Sequence, residues 1–174
     1  VYLRGHPADY ERWRELGNAG WGWSEVLAAF RRLEDSELGD PTVRGQGGPQ
    51  RVERLRSIHP LTAAFVEAAA TTGLPRRESL NELETEGVAF AEATQRRGRR
   101  QSAADAFLRP VRRRANLQVL TGARVLGIQW QGRQATGVMY ERGGRREVAR
   151  ARDEVVLAAG AVASPQLLML SGVG

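Results

Sequence analysis

Cysteine is absent from the 174 residues, which excludes disulfides, a thiolate nucleophile and any metal site built on sulfur. Histidine is scarce. With only His6 and His59 available, a zinc cluster has too few ligands, and no metal site is expected. Lysine does not occur, so all 26 basic residues are arginine, an exclusion so complete that it reads as a habit of codon usage. No apolar run approaches the ~18 residues of a membrane span, and no leader pattern opens the chain; the expected location is cytoplasmic. A G-x-G-x-x-G fingerprint is also missing.

The net charge of +6 makes an electrostatic nucleic-acid binder the first reading to test, since arginine supplies phosphate contacts and a salt-dependent affinity. The pattern argues against it. The arginines are scattered with acids between them, as in Glu11-Arg12 and Arg31-Arg32-Leu33-Glu34, and do not form one block interleaved with aromatics. No nucleic-acid partner is therefore expected, and a solvated arginine surface accounts for the charge.

The most informative stretch is the last, Asp153 to Gly174, DEVVLAAGAVASPQLLMLSGVG. Val155 to Leu157 is a short apolar run without polar alternation, which predicts a parallel strand covered on both faces. Ala158, Ala159 and Gly160 then offer almost no side chain, so another molecule could approach the backbone at the strand's carboxyl end, where open α/β sheets bind ligands. A helix is predicted from Ser164 as N-cap and Pro165 at the first position, ending at Gly172.

Upstream, helices are predicted from Pro7 to Leu16, from Ser24 over Val26, Leu27, Phe30 and Leu33, and from Pro60 to Thr72 with Leu61, Ala64, Phe65, Ala68 and Ala69 near one face. His6 and His59 each precede a proline at a helix start, a place for a capping or packing histidine, and neither is expected to be catalytic. Residues 36 to 49 read as a connecting surface loop. Alternation over Gly87 to Gln95 predicts a half-buried strand, and Arg96 to Arg100 a basic turn about Gly98. Ser102 and Asp105 form a capping box for the helix SAADAFLRPV, which Pro110 limits. Strands are predicted at Leu117–Leu120, Arg124–Trp130, Ala135–Glu141 and Glu147–Ala149, with a hairpin at Gly143-Gly144.

Gly160-Ala161, Ser164-Pro165, Leu167-Leu168 and Ser171-Gly172-Val173-Gly174 match, at each spacing, the second signature of the glucose-methanol-choline (GMC) oxidoreductases. VYLRGHPADYERW, NAGWGWSEVLAAFRRLE, HPLTAAFVEAA, SAADAFLRP and NLQVLTGARV also resemble that family, and its choline-dehydrogenase-like branch most of all. Three places depart from its pattern. Arg44-Gly45 stands for a histidine-glycine pair, Asn81-Glu82 for Asn-Gly, and Gln101 for a tryptophan.

The resemblance implies an α/β fold: part of a two-layer FAD-binding fold, with a β-meander insertion and substrate-side helices. It implies that residues 1–174 are the N-terminal FAD-binding region, truncated at both ends, with the glycine fingerprint upstream and the catalytic histidine, paired with a second histidine or an asparagine, downstream. No catalytic residue is therefore assigned. The cofactor-binding candidates it implies are Val125, whose main chain would meet the adenine, Ala159 and Gly160 in the small turn, and Val1 beside the flavin. The implied activity is oxidation of a small alcohol with hydride passing to FAD and the electron acceptor open. The piece alone would be inactive. The alternative is a non-enzymatic remnant or an arginine-rich binding module.

Overall fold

The chain folds as two units, residues 1–117 and 118–174, in a computed structural model that describes all of residues 1–174. In the first unit the elements run α1 (Pro7–Glu15), α2 (Trp23–Leu33), β1 (Glu34–Ser36), β2 (Gln50–Arg54), α3 (Pro60–Thr71), β3 (Glu92–Arg96) and β4 (Arg99–Arg100). A π-helical turn, Ala104–Leu108, then runs into the short α4 (Arg109–Val111). The second unit holds β5 (Arg124–Gln131), β6 (Gln134–Arg142), β7 (Arg145–Arg150) and α5 (Gly160–Leu170).

The four strands of the first unit lie in chain order, β1 parallel to β2 and the rest antiparallel. Its small apolar core is Leu38, Val43, Val52, Val66, Val88 and Ala106. The two His-Pro starts act as expected: Nδ1 of His6 accepts the Ala8 N–H at 3.1 Å, and Nδ1 of His59 accepts the Leu61 N–H at 3.2 Å. Proline loses nothing at such a position because that N–H has no helical partner. Tyr10 joins α1 to α2 through ring contacts with centroids 5.5 Å from Trp23 and 6.2 Å from Phe30, and packs edge-on to Trp13 of its own helix at 5.2 Å, each worth about 0.5–1.5 kcal/mol.

Three expectations for this unit change. Ser24, expected as the N-cap of α2, does not cap it; the N-cap is Gly22, two residues earlier, and Glu11 of α1 accepts the Trp23 N–H at 2.8 Å, so the cap comes from a neighbouring helix. On α3 the buried side chain is Val66, flanked by half-buried Ala63, Ala69 and Ala70, while Leu61 and Phe65 are 74% and 69% exposed. The smaller face packs closely and the larger one faces outward. The strand predicted from Gly87 begins only at Glu92, because Val88 pairs instead with Arg76, exchanging bonds of 2.9 Å with Arg77 and Pro75.

The second unit is an antiparallel meander, order β5-β6-β7, with α5 packed against β5 and tied to it at Ser171, the residue that follows the helix. Ser171 Oγ accepts the Ile128 N–H at 2.8 Å and donates to the Leu167 carbonyl at 2.6 Å, while Trp130 Nε1 donates to the Ser171 carbonyl at 2.9 Å. Gly143 and Gly144, at φ 56° and 75°, make the β6–β7 turn, the doubly left-handed form whose twist suits a hairpin. The strands predicted at Leu117–Leu120 and Val155–Leu157 are not formed. Both segments have strand composition, but a strand exists only against a partner, and neither has one.

The helix predicted from Ser164 starts at Gly160, with Pro165 inside it. Gly160 has φ 89°, so the chain turns sharply into the helix where only glycine does so without strain. Ser164 still caps, from within: its Oγ accepts the Ala159 N–H at 3.0 Å. Proline there deprives the Ala161 carbonyl of its i+4 donor. No helix is long and apolar enough to cross a membrane.

Candidate functional site

Of the four cofactor-binding candidates, three lie in the second unit and Val1 in the first. Val125 is in β5 opposite Tyr140, just before a bulge that ends at Gly127, and its side chain is 43% exposed. Ala159 is the N-cap residue of α5 and Gly160 its first residue, both exposed. Nothing caps the next N–H groups of α5 from a side chain, and a Cβ on Gly160 would meet no atom within 4 Å. An open helix start edged by small residues suits a ligand recognised through backbone N–H groups, as a dinucleotide pyrophosphate is. On that observation the residues fit FAD.

Val1 is 92% exposed, yet the residues after it are fixed. Tyr2 N donates to the Glu92 carbonyl at 2.7 Å. The Asn81 side chain then behaves as a strand partner in miniature: its Oδ1 accepts the Arg4 N–H at 2.8 Å and its Nδ2 donates to the Tyr2 carbonyl at 3.2 Å. One amide thus satisfies the backbone on both sides of Leu3.

Beneath this strap lies a buried ion network that the sequence reading missed. The loop of residues 36–49 does more than connect, because Arg44 is 1% exposed, as Glu34 is 0% and Arg4 2%. Arg44 donates from Nε to Glu34 Oε1 at 3.1 Å, from Nη1 to Ser79 Oγ at 2.9 Å and Glu92 Oε1 at 3.2 Å, and from Nη2 to Glu92 Oε2 at 2.8 Å. Arg4 pairs with the same Glu34 oxygen, and Ser79 and Asn81 also donate to Glu92. Two guanidinium groups thus meet two carboxylates in one neutral cluster.

Burial alone would push the Glu92 carboxyl up, but hydrogen bonds from Arg44, Ser79 and Asn81 hold it below the usual carboxylate range. Burial, with the charge of Glu34 next to it, pushes the Tyr2 phenol up to about 12. A Cβ on Gly45 or Gly48 would collide with the backbone of Arg31 or Leu33, which explains why glycines follow Arg44 in the loop that delivers it. The two histidines stand elsewhere, each with Nδ1 committed to its helix start, and no His, Cys, Asp or Glu group forms a cluster that could hold a metal.

Comparison with known proteins supplies the family. A family model described as GMC oxidoreductase matches residues 1–174. Over the whole chain the sequence is 43% identical to the mitochondrial choline dehydrogenase of Homo sapiens and 46% identical to the oxygen-dependent choline dehydrogenase of Sinorhizobium medicae strain WSM419. It spans 29% and 32% of their lengths. Among solved structures, the pyridoxine 4-oxidase of Mesorbium loti superposes over 99% of this chain and 34% of its own, with a TM-score of 0.88 and 42% identity. An FAD-dependent oxidoreductase from Chaetomium thermophilum gives a TM-score of 0.90 at 29% identity, over 99% of this chain and 32% of that one.

Proposed function

The chain belongs to the GMC oxidoreductase family, and from that membership we propose that it forms part of the FAD-binding region of an enzyme that oxidises the CH–OH group of a small alcohol. The observation that carries this reading is identity of 43–46% to choline dehydrogenases along the chain's whole length. A choline-like alcohol is the substrate we favour. The likeness to a pyridoxine oxidase at 42% makes a primary alcohol on an aromatic ring the natural comparison.

FAD, when bound, supplies the hydride acceptor for alcohol oxidation. In this reading the residues of the chain bind and orient. The open N–H groups at the start of α5 would receive phosphate oxygens, the Val125 main chain would meet the adenine, and Val1, next to the strap on residues 2–4, would lie beside the flavin. Neither histidine serves as base, since each spends Nδ1 on a backbone N–H.

The test is anaerobic addition of choline or pyridoxine to the full-length protein that contains this chain, following the visible flavin band. Bleaching by one alcohol supports the reading and names the substrate class. A purified protein that holds no flavin would overturn it.

A further inference from the structure

The β3–β4 hairpin carries charge that neither the flavin reading nor the buried network uses. Arg96, Arg97, Arg99 and Arg100 are all exposed, and none has a carboxylate partner, whereas neighbouring Arg51, Arg54 and Arg109 are each paired with an acid. Arg96 stands directly opposite Arg99 in the ladder, a placement in which like charges oppose strand pairing. Between them Arg97 has φ 55°, the one non-glycine residue in the left-handed region, where a long side chain is strained.

The hairpin is nonetheless held firmly. Buried Glu53 accepts the Arg97 N–H at 3.2 Å, and hydrogen bonds from the Arg97 backbone, the Arg51 side chain and the Gly98 backbone outweigh burial to hold its carboxyl below the ordinary range. Gln101 pins the end of β4 to β2, its Oε1 accepting the Arg51 N–H at 2.7 Å and its Nε2 donating to the Pro49 carbonyl at 3.2 Å. The arginines line a groove of about 680 Å³ with Gln101, Asp105 and Arg109. Its single acid is already committed: Asp105 accepts from Ser102 through Oδ2 and pairs with Arg109 through Oδ1 at 2.7 Å.

We propose that this groove is a binding site for a soluble oligophosphate or a small molecule bearing at least two phosphoryl groups. Guanidinium forks match phosphate oxygens in pairs, and the groove has the size of a small-ligand site. No aromatic side chain lines it, so it lacks the stacking platform by which single-stranded nucleic acid is held. Glu53 and Gln101 keep the charged turn in one shape before any ligand arrives, which lowers the ordering cost of binding.

The experiment is calorimetric titration of the full-length protein with inorganic tripolyphosphate, comparing wild type with Arg96→Ala/Arg99→Ala. The control is Arg142→Ala/Arg145→Ala, which removes the same charge from an equivalent opposed pair on the β6–β7 hairpin. The proposal expects the first variant to weaken binding at least about tenfold, the control to stay within about twofold, and affinity to fall with added salt. Equal weakening in the two variants would reduce the effect to net charge and overturn the site. So would no binding by wild type. Vesicles of phosphatidylcholine, with and without a phosphoinositide, form the second arm: capture that depends on Arg96 and Arg99 without any response to tripolyphosphate would overturn the soluble ligand and assign a lipid headgroup.

Discussion

Replacing Arg44 with methionine tests the buried network, because the two side chains have similar reach and only the charge and its donors are lost. Four hydrogen bonds disappear, one to Glu34, one to Ser79 and two to Glu92. Glu34 keeps Arg4, but Glu92 keeps only Ser79 and Asn81. Breaking a buried pair from one side costs about 3–5 kcal/mol, a large share of the ~5–15 kcal/mol that stabilises a domain. Arg44→Met should therefore lower the urea midpoint of the first unit severely. Arg44→Met/Glu92→Gln removes the stranded charge while keeping an acceptor for Asn81, and should recover more than ~1 kcal/mol of that loss.

The pH dependence gives an independent check. In wild type the Glu92 carboxyl lies below its ordinary value, so its contribution is present above pH ~4.3 and is lost as pH falls below that. In Arg44→Met, burial acts without the opposing guanidinium and raises the same carboxyl above its unfolded value. Its sign then reverses: the contribution is complete at low pH and is lost as pH rises through the raised value. The gap in stability between wild type and variant should accordingly narrow from about pH 7.5 to about pH 5, as read by urea unfolding followed by circular dichroism. A gap independent of pH, together with additive effects in the double variant, would refute the account of Arg44 as a buried charge partner.

Gly160→Ala should destabilise the full-length protein by about 1–2 kcal/mol through its left-handed φ alone, since the added Cβ has room, and Gly160→Val should in addition release the flavin. Melting temperature and flavin-to-protein ratio check both, and an alanine variant as stable as wild type would contradict the φ. Val125→Pro should lower flavin affinity more than Gln129→Pro for an equal loss of thermal stability, because both break the β5–β6 ladder and only Val125 is assigned an adenine contact; equal losses would withdraw that contact. Tyr2, with its phenol raised to about 12, should contribute stability in full below pH ~10 and lose it between there and about 12. Ultraviolet titration of the phenols, compared with Tyr2→Phe, reads this directly.

What was legible in the sequence was local. The His-Pro helix starts, the Ser102–Asp105 capping box and the Gly143-Gly144 hairpin each rest on contacts within a few residues, and all three are present. Strands at 117–120 and 155–157 failed because a strand depends on a partner that composition cannot name. The α5 start was misplaced because Ser164-Pro165 is a strong N-terminal signal that Gly160 outranks by geometry. Arg4 and Arg44 were hidden among other arginines, and nothing near them in sequence marks Glu34 as the acid they share. Asn81 came closest to being found, as the retained half of a family Asn-Gly turn, but its bonds reach across 77 residues. Val1, Val125, Ala159 and Gly160 rest on the family likeness, since a site made of backbone groups leaves little trace in side-chain chemistry.

The strap formed by Asn81 also orders events in time. Residues 2–4 leave the ribosome before Asn81 and Glu92, which hold them and are made only after most of the first unit. Contacts of such separation must bear a large loop-closure entropy before they contribute, so the segment cannot pair until Asn81 and Glu92 have been made. The second unit, whose hairpins close between neighbours, faces no such delay. Slowed translation, or a chaperone that shelters the early segment, should therefore affect the first unit far more than the second.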